Sequence, residues 1–300
     1  MQVGRVAAFG AALLVVAAAA ASPAYAGRGA YWGTSVEPEP GQSNLQAIRS
    51  LESEIGRKFH IVRLYRPMDN ADLDNDLADL MRARGNPVYL NVSSEIGKTC
   101  VPWKAVANGR YNRVLHRVAR GVRHYRRRVY FSWNHEMQNT CNTGTPRQYR
   151  ASYHRVHHIF RREHVRNAVW VWTPAAGNFN HDPAGLRRYL PRRYDLVGVD
   201  GYNRANPWRS ATEIFSAAHR FAAKRGKRLF IGEVGSQEDP SDASHKAKWI
   251  SNAAALFKRW NVGVVIWTNS PPSEGTYRVD SSSAALAAYR AAGDMRYYRR

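Results

Sequence analysis

The sequence predicts a (β/α)8 barrel, and three observations carry that prediction. Short apolar runs alternate with helical patterns along the chain, eight such units can be counted, and no glycine-rich phosphate loop follows the first run. The first two point to a parallel α/β architecture, and the third removes the main reason to read a doubly wound nucleotide-binding sheet. A chain of 300 residues accommodates one barrel of the usual ~250 residues and leaves little for a second domain.

The elements follow in order. Ala30 to Gly33 opens as a strand, and Ser43 caps a helix with Leu45, Ile48, Leu51 and Ile55 on one face, stopped by Gly56. His60 to Tyr65 is the second strand, an Asp-rich helix ends at Gly85, and Pro87 to Val92 is the third strand. Tyr111, Val114, Leu115, Val118 and Val122 recur at helical spacing before the fourth strand, Val129 to Trp133. Thr145 and Pro146 read as an N-cap followed by proline at the first helical position. Ala168 to Thr173 and Leu196 to Asp200 are strands five and six. Ser210 with Glu213 forms a capping box, and that helix closes at Gly226. Leu229 to Gly232 and Gly263 to Trp267 complete the eight strands, and a last helix starts at Ser283.

Residues 1–26 read as a signal peptide: Arg5, an apolar stretch from Ala7 to Ala21, and a small-residue cleavage site at Ala24-Tyr25-Ala26. The expected product is a secreted, extracellular protein of residues 27–300, one catalytic barrel without a membrane span. Cys100 and Cys141 are the only cysteines, and an even count in an exported chain suggests a disulfide, with two free thiols as the alternative. The formal charge is +22. Such a field attracts polyanions, so anionic cell-wall polymers are expected partners; a solvated arginine-rich surface is the plainer reading. Nucleic-acid binding is not expected, because no recognisable module is present and export conflicts with it.

Two glutamates end strand-like runs: Glu136 in Trp133-Asn134-His135-Glu136-Met137 and Glu233 in Gly232-Glu233-Val234-Gly235. A carboxylate at the C-terminal end of a barrel strand reads as catalytic, and two converging there supply the acid/base and nucleophile of glycoside hydrolysis. These strings resemble glycoside hydrolase family 26, the β-mannanase-like retaining barrels. The resemblance implies Glu136 as acid/base and Glu233 as nucleophile, ~5–5.5 Å apart as retention requires. It implies a sugar contact for His135, with a core histidine as the alternative, and a Tyr202 hydroxyl donated to the nucleophile. It implies Trp267 as a floor under the reacting sugar; Trp172 is open to the same use or to a place in the barrel core. Arg63 is either a donor behind the nucleophile or a surface ion pair. Gln138-Asn139-Thr140-Cys141 departs from the Asn-Gly often found after His-Glu-Met in that family.

No cofactor and no metal are expected. The histidine-rich stretch His154, His157, His158 and His164 lacks an HExxH string and is crowded with arginine. The expected function is retaining endo-hydrolysis of a β-linked polysaccharide, β-1,4-mannan first, by a monomer. The alternative is an inactive barrel that binds polysaccharide or an anionic wall polymer.

Overall fold

Eight parallel strands close into a barrel in a computed structural model that describes residues 29–270 and 277–298; the predicted leader lies outside the described residues. The strands are β1 (Tyr31–Val36), β2 (Ile61–Pro67), β3 (Val88–Ser93), β4 (Val129–Trp133), β5 (Ala168–Trp172), β6 (Leu196–Asn203), β7 (Leu229–Ser236) and β8 (Val264–Asn269). Each pairs with its sequence neighbours, and β1 closes on β8 in register from Tyr31–Val264 to Val36–Asn269. The predicted (β/α)8 fold is therefore the observed one.

The helices form where the sequence caps them. Ser43, Thr145 and Ser210 each accept the amide three residues on, and the N3 side chains Gln46, Gln148 and Glu213 return the bond, so all three starts are full capping boxes. Gly56 ends the first helix at φ 70°, a left-handed turn that a side chain would disfavour. No described helix is long and apolar enough to cross a membrane.

Side-chain alternation sorts the strands into two layers. Ile61, Tyr89, Tyr130, Val171, Leu196, Phe230, Val264 and Ile266 pack together inside the barrel. Their alternates, among them Val62, Leu90, Phe131, Trp170, Val197, Ile231 and Val265, pack against the surrounding helices.

Strands β6 and β7 run past their predicted ends at Asp200 and Gly232. A register shift after Val199 pairs Asp200 with Glu233, and the ladder continues to Asn203–Ser236. Glu233 thus sits within a paired strand instead of beyond it, which fixes its backbone.

Short elements escape the sequence reading because none spans two turns. They are the hairpin Glu95–Ile96 with Thr99–Cys100, and the helices Trp103–Ala107, Ala176–His181 and Pro183–Arg187. The expected disulfide is present: Cys100 on that hairpin is bonded to Cys141 in the loop after β4, across a sequence separation of 41. Closing such a loop stabilises the fold by about 4 kcal/mol in the chain-entropy account.

Candidate active site

The inward alternates at the C-terminal ends of the strands build the site. On β2 these are Arg63 and Tyr65, on β3 Asn91, on β6 Asp200 and Tyr202 and on β8 Thr268; on β7 the register shift that pairs Asp200 with Glu233 skips Gly232 and turns Glu233 inward, out of step with Phe230. Arg63, Asn91 and Asp200 are buried. The Arg63 guanidinium donates to Asn91 Oδ1 at 3.1 Å, to both Asp200 oxygens at 3.1 and 3.0 Å and to the Gly232 carbonyl at 2.7 Å. It also lies 2.8 Å from Glu233 Oε1. Gly232 makes room for this, since a Cβ there would fall 2.4 Å from Asp200 Oδ1.

Glu233 is held from three further sides. Tyr65 donates its hydroxyl to Oε1 at 2.8 Å, Tyr202 donates to Oε2, and His135 Nε2 stands 4.0 Å from Oε1. Burial alone would raise the Glu233 pKa, but Arg63 and the two phenols more than reverse it, so the carboxyl lies below its ordinary value. Burial, and then the cation of Arg63, push His135 down to about 3, so its imidazole is neutral. Its Nδ1 is buried with no hydrogen-bond partner among the described residues.

Glu136 lies in a tight turn just past β4. Its φ is +46°, its amide donates to the Thr173 carbonyl at 2.7 Å, and its carbonyl accepts from Asn139 and Thr140 at 2.6 and 2.8 Å. Asn134, also at positive φ, clamps the turn by accepting from the Ser94 amide at 2.5 Å and donating to the Thr140 carbonyl at 3.1 Å. Non-glycine residues in the left-handed region store strain of ~1–3 kcal/mol each, tolerated where the surroundings fix them. Burial first, then the negative charge of Glu233, raise the Glu136 carboxyl to about 7. One glutamate is therefore kept ionised and its neighbour kept protonated.

This arrangement sits in a barrel shared with known enzymes. The chain matches no family model. It is 27% identical to endoglucanase H of Acetivibrio thermocellus over 282 residues, covering 87% of this chain and 30% of that one, so it spans about a third of that relative's length. Its fold superposes on a GH26 β-mannanase from Bacteroides ovatus with a TM-score of 0.64 at 14% identity, covering 90% of each chain. With an endo-β-1,4-mannanase from Cellulomonas fimi the TM-score is 0.66 at 16% identity, over 90% of this chain and 71% of that one. The chain has the fold of a family 26 glycoside hydrolase.

In this barrel two adjoining hollows carry the pair. One, of about 750 Å³, is lined by Glu233 together with Ser35, Glu37, Tyr65, Thr268 and Tyr277. The other, of about 280 Å³, holds Glu136, Asn139, Asn180 and Arg209. Tyr202 and Arg204 line both, so one polymer strand can pass from hollow to hollow across the two glutamates.

The structure brings together Arg63, His135, Glu136, Tyr202 and Glu233, and adds Tyr65, Asp200, Asn134 and Asn91, which the sequence reading missed. It removes both tryptophans from the mouth. Trp172 is fully buried against Phe179, Tyr194 and Phe221, so it belongs to the layer between barrel and helices. Trp267 is 1% exposed and packs on Trp32, Trp249 and Tyr289 in that same layer, while its neighbour Thr268 faces the cleft. Among the described residues the large exposed aromatic is instead Tyr65 at 39%, while Tyr277, buried beside Tyr202, lines the same hollow. Trp267→Ala is expected to destabilise the fold by ~3–5 kcal/mol while leaving KM near wild type at temperatures where the variant is folded. A KM raised tenfold with an unchanged melting temperature would return Trp267 to the cleft.

His135, Asp200 and Glu233 place their ligand atoms within 4.8 Å of one another, a spacing that a metal ion could bridge. Both carboxylates already bind the Arg63 guanidinium, which fills the cation's place between them. The donor set suits acid/base and nucleophilic chemistry better than metal ligation.

Proposed function

We propose that this protein is a secreted, retaining endo-β-glycosidase whose first substrate to test is β-1,4-mannan. The observation that carries the reading is the division of labour between Glu136 and Glu233. Glu233, ionised and aimed by Tyr65, Tyr202 and Arg63, attacks the anomeric carbon. Glu136 gives its proton to the departing glycosidic oxygen, then takes one from the water that releases the glycosyl-enzyme. The hydroxyls of Tyr65 and Tyr202, which line the larger hollow, are polar contacts available to the sugar. Mannan is supported by the names of the structural neighbours and a β-glucan by that of the endoglucanase relative. The leader-like pattern of residues 1–26 supports export.

Reducing-sugar release from β-mannan, glucomannan, lichenan and xylan, with proton NMR of the first anomer formed, tests both substrate and stereochemistry. Release of an inverted anomer would refute the double displacement. Folded protein that releases nothing from any polymer would favour a binding barrel. The profile of kcat/KM against pH is expected to fall as pH rises through about 7, because Glu136 then loses the proton it must donate. The acid limb lies below the ordinary glutamate value, because Glu233 stays ionised there. In Glu233→Gln the charge facing Glu136 is gone, so a carboxyl titration followed by NMR should show the Glu136 pKa lowered.

A further inference from the structure

The charge of this barrel is divided between its two ends. Seven stretches run from the last turn of an outer helix to the next strand and form the barrel floor, opposite the mouth: 52–60, 80–87, 122–128, 159–167, 184–195, 220–228 and 256–263. They carry twenty-two lysines and arginines against four acids. Three of those acids are engaged internally: Glu52 by Arg84, Glu163 by His116 and Arg120, and Asp195 by the Trp170 amide. The described loops that follow the strands at the mouth have the opposite balance, twelve acids against six basic residues.

Helix dipoles account for part of the floor, since a cation in the last turn of a helix is favoured. That effect ends with the last turn. Arg126 and Arg127 lie past a helix that stops at Tyr125, and Arg192 and Arg193 lie past one that stops at Arg187. All four are exposed. Crowding like charges there costs stability by self-repulsion, a cost that a bound polyanion removes.

We infer that the barrel floor is a docking face for a linear polyanion bearing phosphate groups, which holds the protein with its mouth turned away. Guanidinium groups suit phosphate, because their paired N–H donors match two of its oxygens at once. A bilayer is the poorer fit. The one large exposed hydrophobic residue is Tyr65 at the mouth, so among the described residues the floor offers no large apolar side chain to insert. This docking is independent of the hydrolytic reading and is measured without it.

The test compares two proteins that have lost equal charge. In one, Arg126, Arg127, Arg192 and Arg193 become Gln; in the other, the exposed Lys98, Lys104, Arg110 and Arg147, which lie off the floor, become Gln. Binding is measured to immobilised long-chain polyphosphate and polygalacturonate at ~0.1 M salt, with neutral galactomannan as the blank. The wild type should bind polyphosphate, and binding to polygalacturonate alone would overturn the inference. The floor variant should bind about tenfold more weakly, with a shallower salt dependence, and the off-floor variant should bind as the wild type does. The floor variant should also melt at a higher temperature than wild type in low salt, which shows relief of repulsion and an intact fold. Equal loss in both variants would overturn the inference in favour of net charge alone. So would binding to phosphatidylglycerol vesicles or duplex DNA with no binding to either polymer.

Discussion

Glu136→Ala is expected to lower kcat on the polysaccharide by ~10²–10⁴-fold, the usual worth of a positioned general acid/base, while the protein stays folded. The loss should depend on the leaving group. With a dinitrophenyl glycoside, whose aglycone departs without a proton, formation of the glycosyl-enzyme should be nearly normal. The intermediate should then accumulate as a burst, because no base activates water. Added azide, a nucleophile that needs no base, should restore turnover and appear in the product. Glu233→Ala should lose more, ~10⁴–10⁶-fold, as nucleophile deletions do, with no burst on any substrate. If the two variants behaved alike on the activated substrate, the separate roles given to the two carboxyls would be wrong.

These roles follow from placement more than from residue type. Glu233 is in a paired strand with a buried cation and two phenols directed at it, so ionisation is favoured despite burial. Glu136 is on a turn, and among the described residues the one side-chain hydrogen bond to its carboxyl is from Asn139 at 3.4 Å. Burial and the charge on Glu233 therefore dominate its titration.

Strand alternation also explains what the sequence showed and what it hid. The glutamates were legible because each follows an apolar run, and the capped helices because Ser43, Thr145 and Ser210 are followed three residues on by Gln or Glu. Trp267 is misplaced by the sequence reading and Trp172 left open, although period two could have placed both. Val264 and Ile266 are inside the barrel, so Trp267 between Ile266 and Thr268 must face out, and Trp172 follows the inward Val171 in the same way. The same count from Ile61 puts Arg63 and Tyr65 inward, and from Leu196 it puts Asp200 and Tyr202 inward. Tyr65 and Asp200 were thus available to a reading by parity. The Asn134 clamp was not: it depends on a left-handed turn and on the Ser94 amide, which no local pattern announces. The continuation of β7 past Gly232 was hidden too, because it rests on a register shift against β6.

Arg63→Ala is expected to produce the largest loss of stability of any single substitution in the site, ~3–5 kcal/mol, the range found when one partner of a buried ion pair is removed. It leaves Asp200 and Glu233 facing each other without the cation that binds both. The penalty should depend on pH, and its sign is fixed. Without Arg63 both burial and mutual repulsion raise the folded-state carboxyl pKa values above those of the unfolded chain. Such groups destabilise most where the unfolded chain is ionised, and stability returns as pH falls through the raised values. The melting-temperature gap between wild type and variant should therefore narrow as pH falls from neutral toward the ordinary carboxylate range. Arg63→Lys separates charge from shape: a single ammonium cannot reproduce the fork shared by Asn91, Asp200, Gly232 and Glu233, so stability should recover in part and kcat should not. A gap that is constant across this pH range would show that Arg63 stabilises the barrel by packing over Tyr65 and Tyr89, whose ring centres lie 4.5 and 4.8 Å from its guanidinium, and not by holding the nucleophile ionised.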